Sequence, residues 1–114
     1  MAKFQVLRTQ LFKEQVVAQS LWYDETTGDP EIADGFITAL EQTVKHLSEY
    51  PQRYPSWTPD NSELSQVIQN FYKAPIGGNY PFCIYYQLDD EVVILRFIYH
   101  DRQDRERTME KALK

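Results

Sequence analysis

The sequence predicts an α+β fold in the order β-α-α-β-β-β: an antiparallel sheet covered on one face by a helical hairpin, followed by a short C-terminal helix. Three observations carry this. Residues 84–99 contain two runs dense in β-branched and aromatic residues, separated by the turn-prone pair Asp89-Asp90. Residues 29–50 place their apolar side chains on one stripe at helical spacing, between a capping start and a proline stop. The chain has 114 residues, 42% of them hydrophobic and 14% aromatic, which suits one globular domain spanning residues 1–114.

In chain order, Phe4 to Leu7 reads as a first strand. Thr9 can cap a helix over about Gln10 to Asp24. Its apolar residues, Phe12, Val16, Val17, Leu21, Trp22 and Tyr23, spread widely around the helix, so this helix is either buried on several sides or meets a partner through Trp22 and its neighbours. Thr26-Thr27-Gly28 breaks it. Asp29 caps the second helix, Pro30 occupies its first turn, and Glu31 suits its positive end. Ala33, Phe36, Ile37, Leu40, Val44 and Leu47 form its stripe, and Pro51 ends it near Tyr50. Residues 51–61 form a proline-rich loop carrying Tyr54 and Trp57. Leu64 to Tyr72 alternates as a strand, with Ile68 and Tyr72 on one side and Val67, Phe71 and Lys73 on the other. Pro75 to Asn79 is a turn. After Asp101 the chain is charged and helix-prone, with Met109, Ala112 and Leu113 as a weak apolar face.

The last two strands set the expected orientation of the sheet. A loop at Asp89-Asp90 puts Leu88 opposite Glu91, Tyr86 opposite Val93, Ile84 opposite Leu95 and Phe82 opposite Phe97. That side is apolar and belongs under the helices, with Tyr99 beside it. The other side carries Gln87, Tyr85, Cys83, Arg96, Ile98 and His100, and is expected to be open.

Composition excludes several classes. The net charge of −5 argues against general nucleic-acid binding. No run reaches the length of a membrane span, and no secretory signal is evident, so a cytoplasmic protein is expected. Cys83 is the only cysteine, so no internal disulfide forms. The two histidines and one cysteine show no metal-ligand spacing, and neither a metal nor another cofactor is expected.

The element order, the long helix ending in Tyr50-Pro51, the strand Tyr80-Pro81-Phe82-Cys83-Ile84-Tyr85-Tyr86 and the ending His100-Asp101-Arg102-Gln103-Asp104 together resemble the RelE/ParE toxin superfamily of type II toxin–antitoxin systems, and within it the ParE, or plasmid-stabilisation, branch. The resemblance covers roughly residues 4–106. It implies a toxin neutralised by a cognate antitoxin. ParE-like members bind DNA gyrase and are not hydrolases. The alternative is a RelE-like endoribonuclease that cleaves mRNA on the ribosome, and a third is a divergent, non-toxic binding module. The resemblance places Arg96, His100 and Arg102 in the terminal patch of the family, with Lys73 nearest to its other basic position. The chain departs from the pattern in being acidic and in carrying Ser65 to Asn70 where relatives have arginine. Both departures argue against RNA cleavage.

Each candidate has a plain structural reading beside the functional one. Arg96 and Arg102 are either contacts to an anionic or protein partner or solvated arginines beside Asp101 and Asp104. His100 is either an acid–base group or a strand-end histidine bonding its neighbours. Tyr85 is expected on the open face as a possible proton donor or stacking platform. Trp57 is either a partner contact or a plug at one end of the core. Trp22, Trp57, Arg96 and Arg102 are the expected partner-binding residues.

Overall fold

The computed structural model describes residues 3–60, 62–67, 69–102, 108–109 and 111–112. Strand β1 (Gln5–Arg8) leads into helix α1 (Gln10–Thr27) and helix α2 (Pro30–Glu49). Short strand β2 (Ser56–Trp57) and short helix α3 (Ser62–Val67) follow, then β3 (Phe71–Pro75), β4 (Phe82–Asp89) and β5 (Val92–His100). The sheet order is β1-β5-β4-β3-β2. β1 runs parallel to β5, and every other pair is antiparallel.

The helix boundaries follow their caps. The Thr9 hydroxyl accepts the Phe12 N–H at 3.2 Å and donates to the Leu95 carbonyl at 3.1 Å, so one side chain both starts α1 and ties it to β5. Gly28, at φ +67°, ends α1 in the left-handed region and donates its N–H to Asp24. Asp29 accepts the Glu31 N–H at 3.0 Å and starts α2. The stripe of α2 packs on the sheet: Phe36, Leu40 and Leu47 are fully buried, with Ile84, Tyr86, Val93 and Leu95 beneath them.

The strand expected over Leu64 to Tyr72 divides in two. Its first part is α3, and its second part begins β3 at Phe71, after Asn70 at φ +60°. A left-handed residue cannot continue a regular strand, so the chain turns there. Phe71 and Tyr72 do face opposite sides, as their alternation requires. Ile68, Gln103 to Arg107 and Leu113 lie outside the described residues, as does the side chain of Val67; so does most of the expected C-terminal helix.

The β4–β5 register corrects the expected one in two ways. The turn is Asp90-Glu91, with Asp90 at φ +57°, and Asp89 pairs with Val92. Moving the turn by one residue on each strand leaves Tyr86 and Leu88 on the helical side with Leu95 and Val93. A β-bulge follows: Tyr86 is opposite Leu95, but Tyr85 is opposite Phe97, so Arg96 has no partner in the ladder. The extra residue reverses every face downstream. Phe97 and Tyr99 leave the helical side, whereas Ile98 and His100 join it.

The sheet face away from the helices is consequently not open along its whole length. Phe97, Tyr99, Tyr85, Cys83 and Phe71 form a second core, closed by Leu64 of α3, Met109 and the half-buried Trp57. The helices cover one face. This smaller cluster covers the β3 side of the other and leaves its β1 side exposed.

Candidate functional site

The exposed part of the second face centres on the bulge. Arg96 is half-buried, and its Nε donates to the Gln87 side chain at 2.7 Å, while Gln87 Nε2 donates to the Gln69 carbonyl at 3.0 Å. This chain of amides orients the guanidinium over a depression of about 300 Å³ lined by Asn70, Gln87, Leu88, Asp89, Ile94 and Arg96. The ion pairs among the described residues are Lys3–Glu49 and Arg8–Glu41. Among the described residues Arg96 therefore has no carboxylate within bridging distance, and its remaining N–H groups can receive an acceptor from outside. Leu7, opposite Ile94 on β1, stands 47% exposed beside it.

The other predicted site residues do not gather around Arg96. Tyr85 is 1% exposed, with its ring edge-on to Trp57 at 4.9 Å and tilted against Tyr99 at 5.9 Å. The expected open-face tyrosine is a core residue. His100 sits on the helical side, its ring 5.1 Å from Phe82, and its Nδ1 accepts the Arg102 N–H at 3.0 Å. The bulge thus puts Arg96 and His100 on opposite faces of the sheet, although both were expected on one. Arg102 is exposed just past the strand. Lys73 is half-buried opposite Tyr85, on the covered part of the second face. Trp57 is half-buried and packs into the second core against Tyr85. The Tyr99 hydroxyl is buried; burial pushes it above its usual range, and the nearby Gln15 side chain partly offsets that.

A second surface lies on α1. Phe12, Val16 and Tyr23 face the core, whereas Val17, Leu21 and Trp22 are 58%, 53% and 53% exposed, with Ala18 exposed between them. These four fall on one side of the helix at i, i+1, i+4 and i+5, bracketed by the exposed carboxylates Glu14 and Glu25. Charge is unevenly placed. Residues 10–49 hold eight of the seventeen acidic side chains and two of the twelve basic ones, and the rest of the chain holds nine acidic and ten basic. The negative charge of the protein is thus concentrated on the helical hairpin, away from Arg96. The wide apolar spread of α1 signalled this surface in the sequence. The reach of the second core had no comparable signal, because Phe97, Ile98 and Tyr99 are all apolar and do not reveal which way each points.

Among the described residues, no group of His, Cys, Asp and Glu is arranged to hold a metal ion, and no helix is long and apolar enough to cross a membrane.

The sequence and fold were compared with known proteins. No curated protein matches the sequence. The fold is similar to a chain of the chromosomal ParDE toxin–antitoxin system from P. aeruginosa, with a TM-score of 0.67 at 14% identity, covering 88% of this chain and 98% of that one. It is also similar to a chain of the RelBE2 toxin–antitoxin complex from Mycobacterium tuberculosis, with a TM-score of 0.57 at 16% identity, covering 86% and 98%. The family model for the ParE toxin of the type II toxin–antitoxin system parDE matches residues 6–104. That match spans most of the chain, which therefore belongs to the ParE toxin family of type II toxin–antitoxin systems.

Proposed function

We propose that this toxin is neutralised by a cognate antitoxin and acts by binding a protein target, DNA gyrase, without hydrolysing a substrate. The observation that carries this reading is the second core. An endoribonuclease needs an acid and a base exposed beside its phosphate-binding arginines. Here Tyr85 is buried under Trp57, His100 faces the helices, and Arg96 stands on the other side. The proton-transfer set is not assembled around the guanidinium. Two exposed patches of the kind that anchors a protein partner remain: an arginine beside an apolar residue at the bulge, and the Trp22 patch on α1. The antitoxin suits the α1 patch, whose apolar area would otherwise face water. The target suits Arg96, which lies away from the acidic hairpin, together with the exposed Arg102 just past the strand.

The test expresses the chain without its partner in bacteria and follows growth, chromosomal breaks and mRNA ends. Arrest with DNA breaks is expected, relieved in Arg96→Ala and Arg102→Ala variants that fold normally. Arrest with mRNA cut within codons overturns the gyrase reading in favour of ribosomal mRNA. Unimpaired growth makes the chain a non-toxic binding module.

A further inference from the structure

A cleft on the opposite side of the molecule from Arg96 belongs to none of these surfaces. It lies between the second half of α2, the loop after it and the end of β3, measures about 220 Å³, and is lined by Ala39, Gln42, Thr43, His46, Tyr54, Pro75 and Gly77. We propose that it binds a carboxylate.

The argument starts from the direction of three hydrogen bonds. A guanidinium can only donate. Arg53 Nη1 lies 3.4 Å from His46 Nε2, so that nitrogen accepts and carries no proton. The neutral imidazole then holds its proton on Nδ1, which lies 3.0 Å from the Tyr54 hydroxyl oxygen. Nδ1–H therefore donates to Tyr54. The Tyr54 O–H must in turn donate elsewhere, and it makes no other hydrogen bond among the described residues. A cation at one end thus polarises the whole relay towards a free donor at the other, in the wall of the cleft. The geometry is held in place: the His46 ring stands edge-on to Tyr50 at 5.4 Å and to Tyr54 at 6.0 Å, and the Arg53 N–H bonds the Tyr50 carbonyl at 3.2 Å.

An acceptor carrying negative charge completes such a relay. Gln42 offers an amide from the same helix, and Arg53 has no carboxylate partner among the described residues. The Thr43 hydroxyl donates to the Ala39 carbonyl at 2.9 Å and so adds no donor to the cleft. The charge of the ligand is limited by its surroundings. The cleft lies near the C-terminal end of α2, whose dipole opposes anions, on a hairpin rich in carboxylates. One negative charge is tolerated there far better than the two of a phosphate. Ala39 and Pro75 supply apolar walls. The ligand is therefore a carboxylate on a short aliphatic stem, either a free small acid or a glutamate or aspartate side chain of a bound peptide.

The test follows the imidazole NMR signals while the full chain is titrated, at constant ionic strength, with sodium propionate, with N-acetylglutamic acid α-amide and with inorganic phosphate. The protein has two histidines, so His100 serves as the internal control. Saturable shifts at His46 alone are expected, with a dissociation constant on the order of millimolar. Arg53→Gln and Tyr54→Phe should each weaken binding at least about fivefold, because each removes one charge-assisted donor or its source. Tyr54→Phe keeps the ring that packs on the core. Tighter binding of the glutamate amide supports a peptide ligand, and tighter binding of propionate supports a free acid. Shifts that never saturate and appear equally at His100, or that both variants leave unchanged, overturn the site. Phosphate saturating His46 at tenfold lower concentration than either carboxylate overturns the ligand class. None of these readouts involves toxicity, so the result is separable from the gyrase reading.

Discussion

Gly35 lies in the middle of α2, where glycine is a poor helix former, so Gly35→Ala should by itself stabilise the helix by about 1 kcal/mol. The structure reverses that sign. A Cβ at this position would overlap the Tyr80 hydroxyl, with the ring carbon bearing it at 3.4 Å. That hydroxyl donates to the Ile32 carbonyl at 2.7 Å, and the Tyr80 ring packs edge-on to Tyr23 and Phe36 at 5.6 and 5.8 Å. To admit the methyl group, Tyr80 must withdraw. It loses a hydrogen bond worth about 1 kcal/mol and loosens two aromatic contacts worth about 0.5–1.5 kcal/mol each. The net effect of Gly35→Ala is a destabilisation of about 1–2 kcal/mol. In a Tyr80→Phe background the overlapping oxygen is gone, the remaining contact is an ordinary one, and Gly35→Ala should then stabilise by about 0.5–1 kcal/mol. Urea denaturation of the four proteins in this cycle measures both signs. If Gly35→Ala stabilises the protein that retains Tyr80, or if Tyr80→Phe fails to reverse the effect, the close approach of α2 to Tyr80 is wrong.

The remaining predictions follow from single contacts. Phe97→Ala should cost about 3–5 kcal/mol, enough to bring the domain close to unfolding, because the side chain is 2% exposed in the second core; a small loss in thermal denaturation would mean that this face is open. Tyr86→Phe should cost about 1–3 kcal/mol, since the buried Tyr86 hydroxyl donates to the Pro51 carbonyl at 2.6 Å and the change leaves that acceptor without its donor. Arg8 binds Glu41 through two 2.7 Å hydrogen bonds, and these, opposed by partial burial, hold the Glu41 carboxyl below its usual range. A depressed carboxyl stabilises the folded state above its unfolded pKa and stops doing so as pH falls through the folded one. Arg8→Gln should therefore cost no more than about 1 kcal/mol near neutrality, because both groups are partly exposed, and the difference from the native protein should vanish in acid; stability curves from pH 7 to pH 3 check this.

Much of the fold was legible because local chemistry and global packing agree. Thr9, Gly28, Asp29 and Pro51 mark the ends of the helices in sequence and in space. The stripe of α2 identified its buried face, and the spread of apolar residues on α1 pointed to the exposed Trp22 patch. The site was read less well, and the reasons are specific. A bulge leaves no trace in alternation when the residues after it are apolar on both sides, as Phe97, Ile98 and Tyr99 are. Tyr99 and His100 were consequently placed on faces they do not occupy, whereas Tyr85 lies on the expected face under a cover that the sequence did not signal. Helix α3 has six residues, too few for a helical period to stand out against Leu64, Val67 and Phe71 read as a strand. The His46–Tyr54–Arg53 relay joins residues of no distinctive spacing, and only the fold brings them to a cleft with Pro75 and Gly77.

The bulge also decides what this surface can become. A side chain skipped by the ladder contributes nothing to strand pairing, so its identity can change without disturbing either core. Arg96 is thus a position where a new specificity can be tried at little structural risk. Deleting it would close the bulge into a regular ladder, with Leu95 opposite Tyr86, Phe97 opposite Tyr85 and every later side chain on its present face. Substitution there edits function, and deletion there removes the arginine while the sheet keeps its pairing.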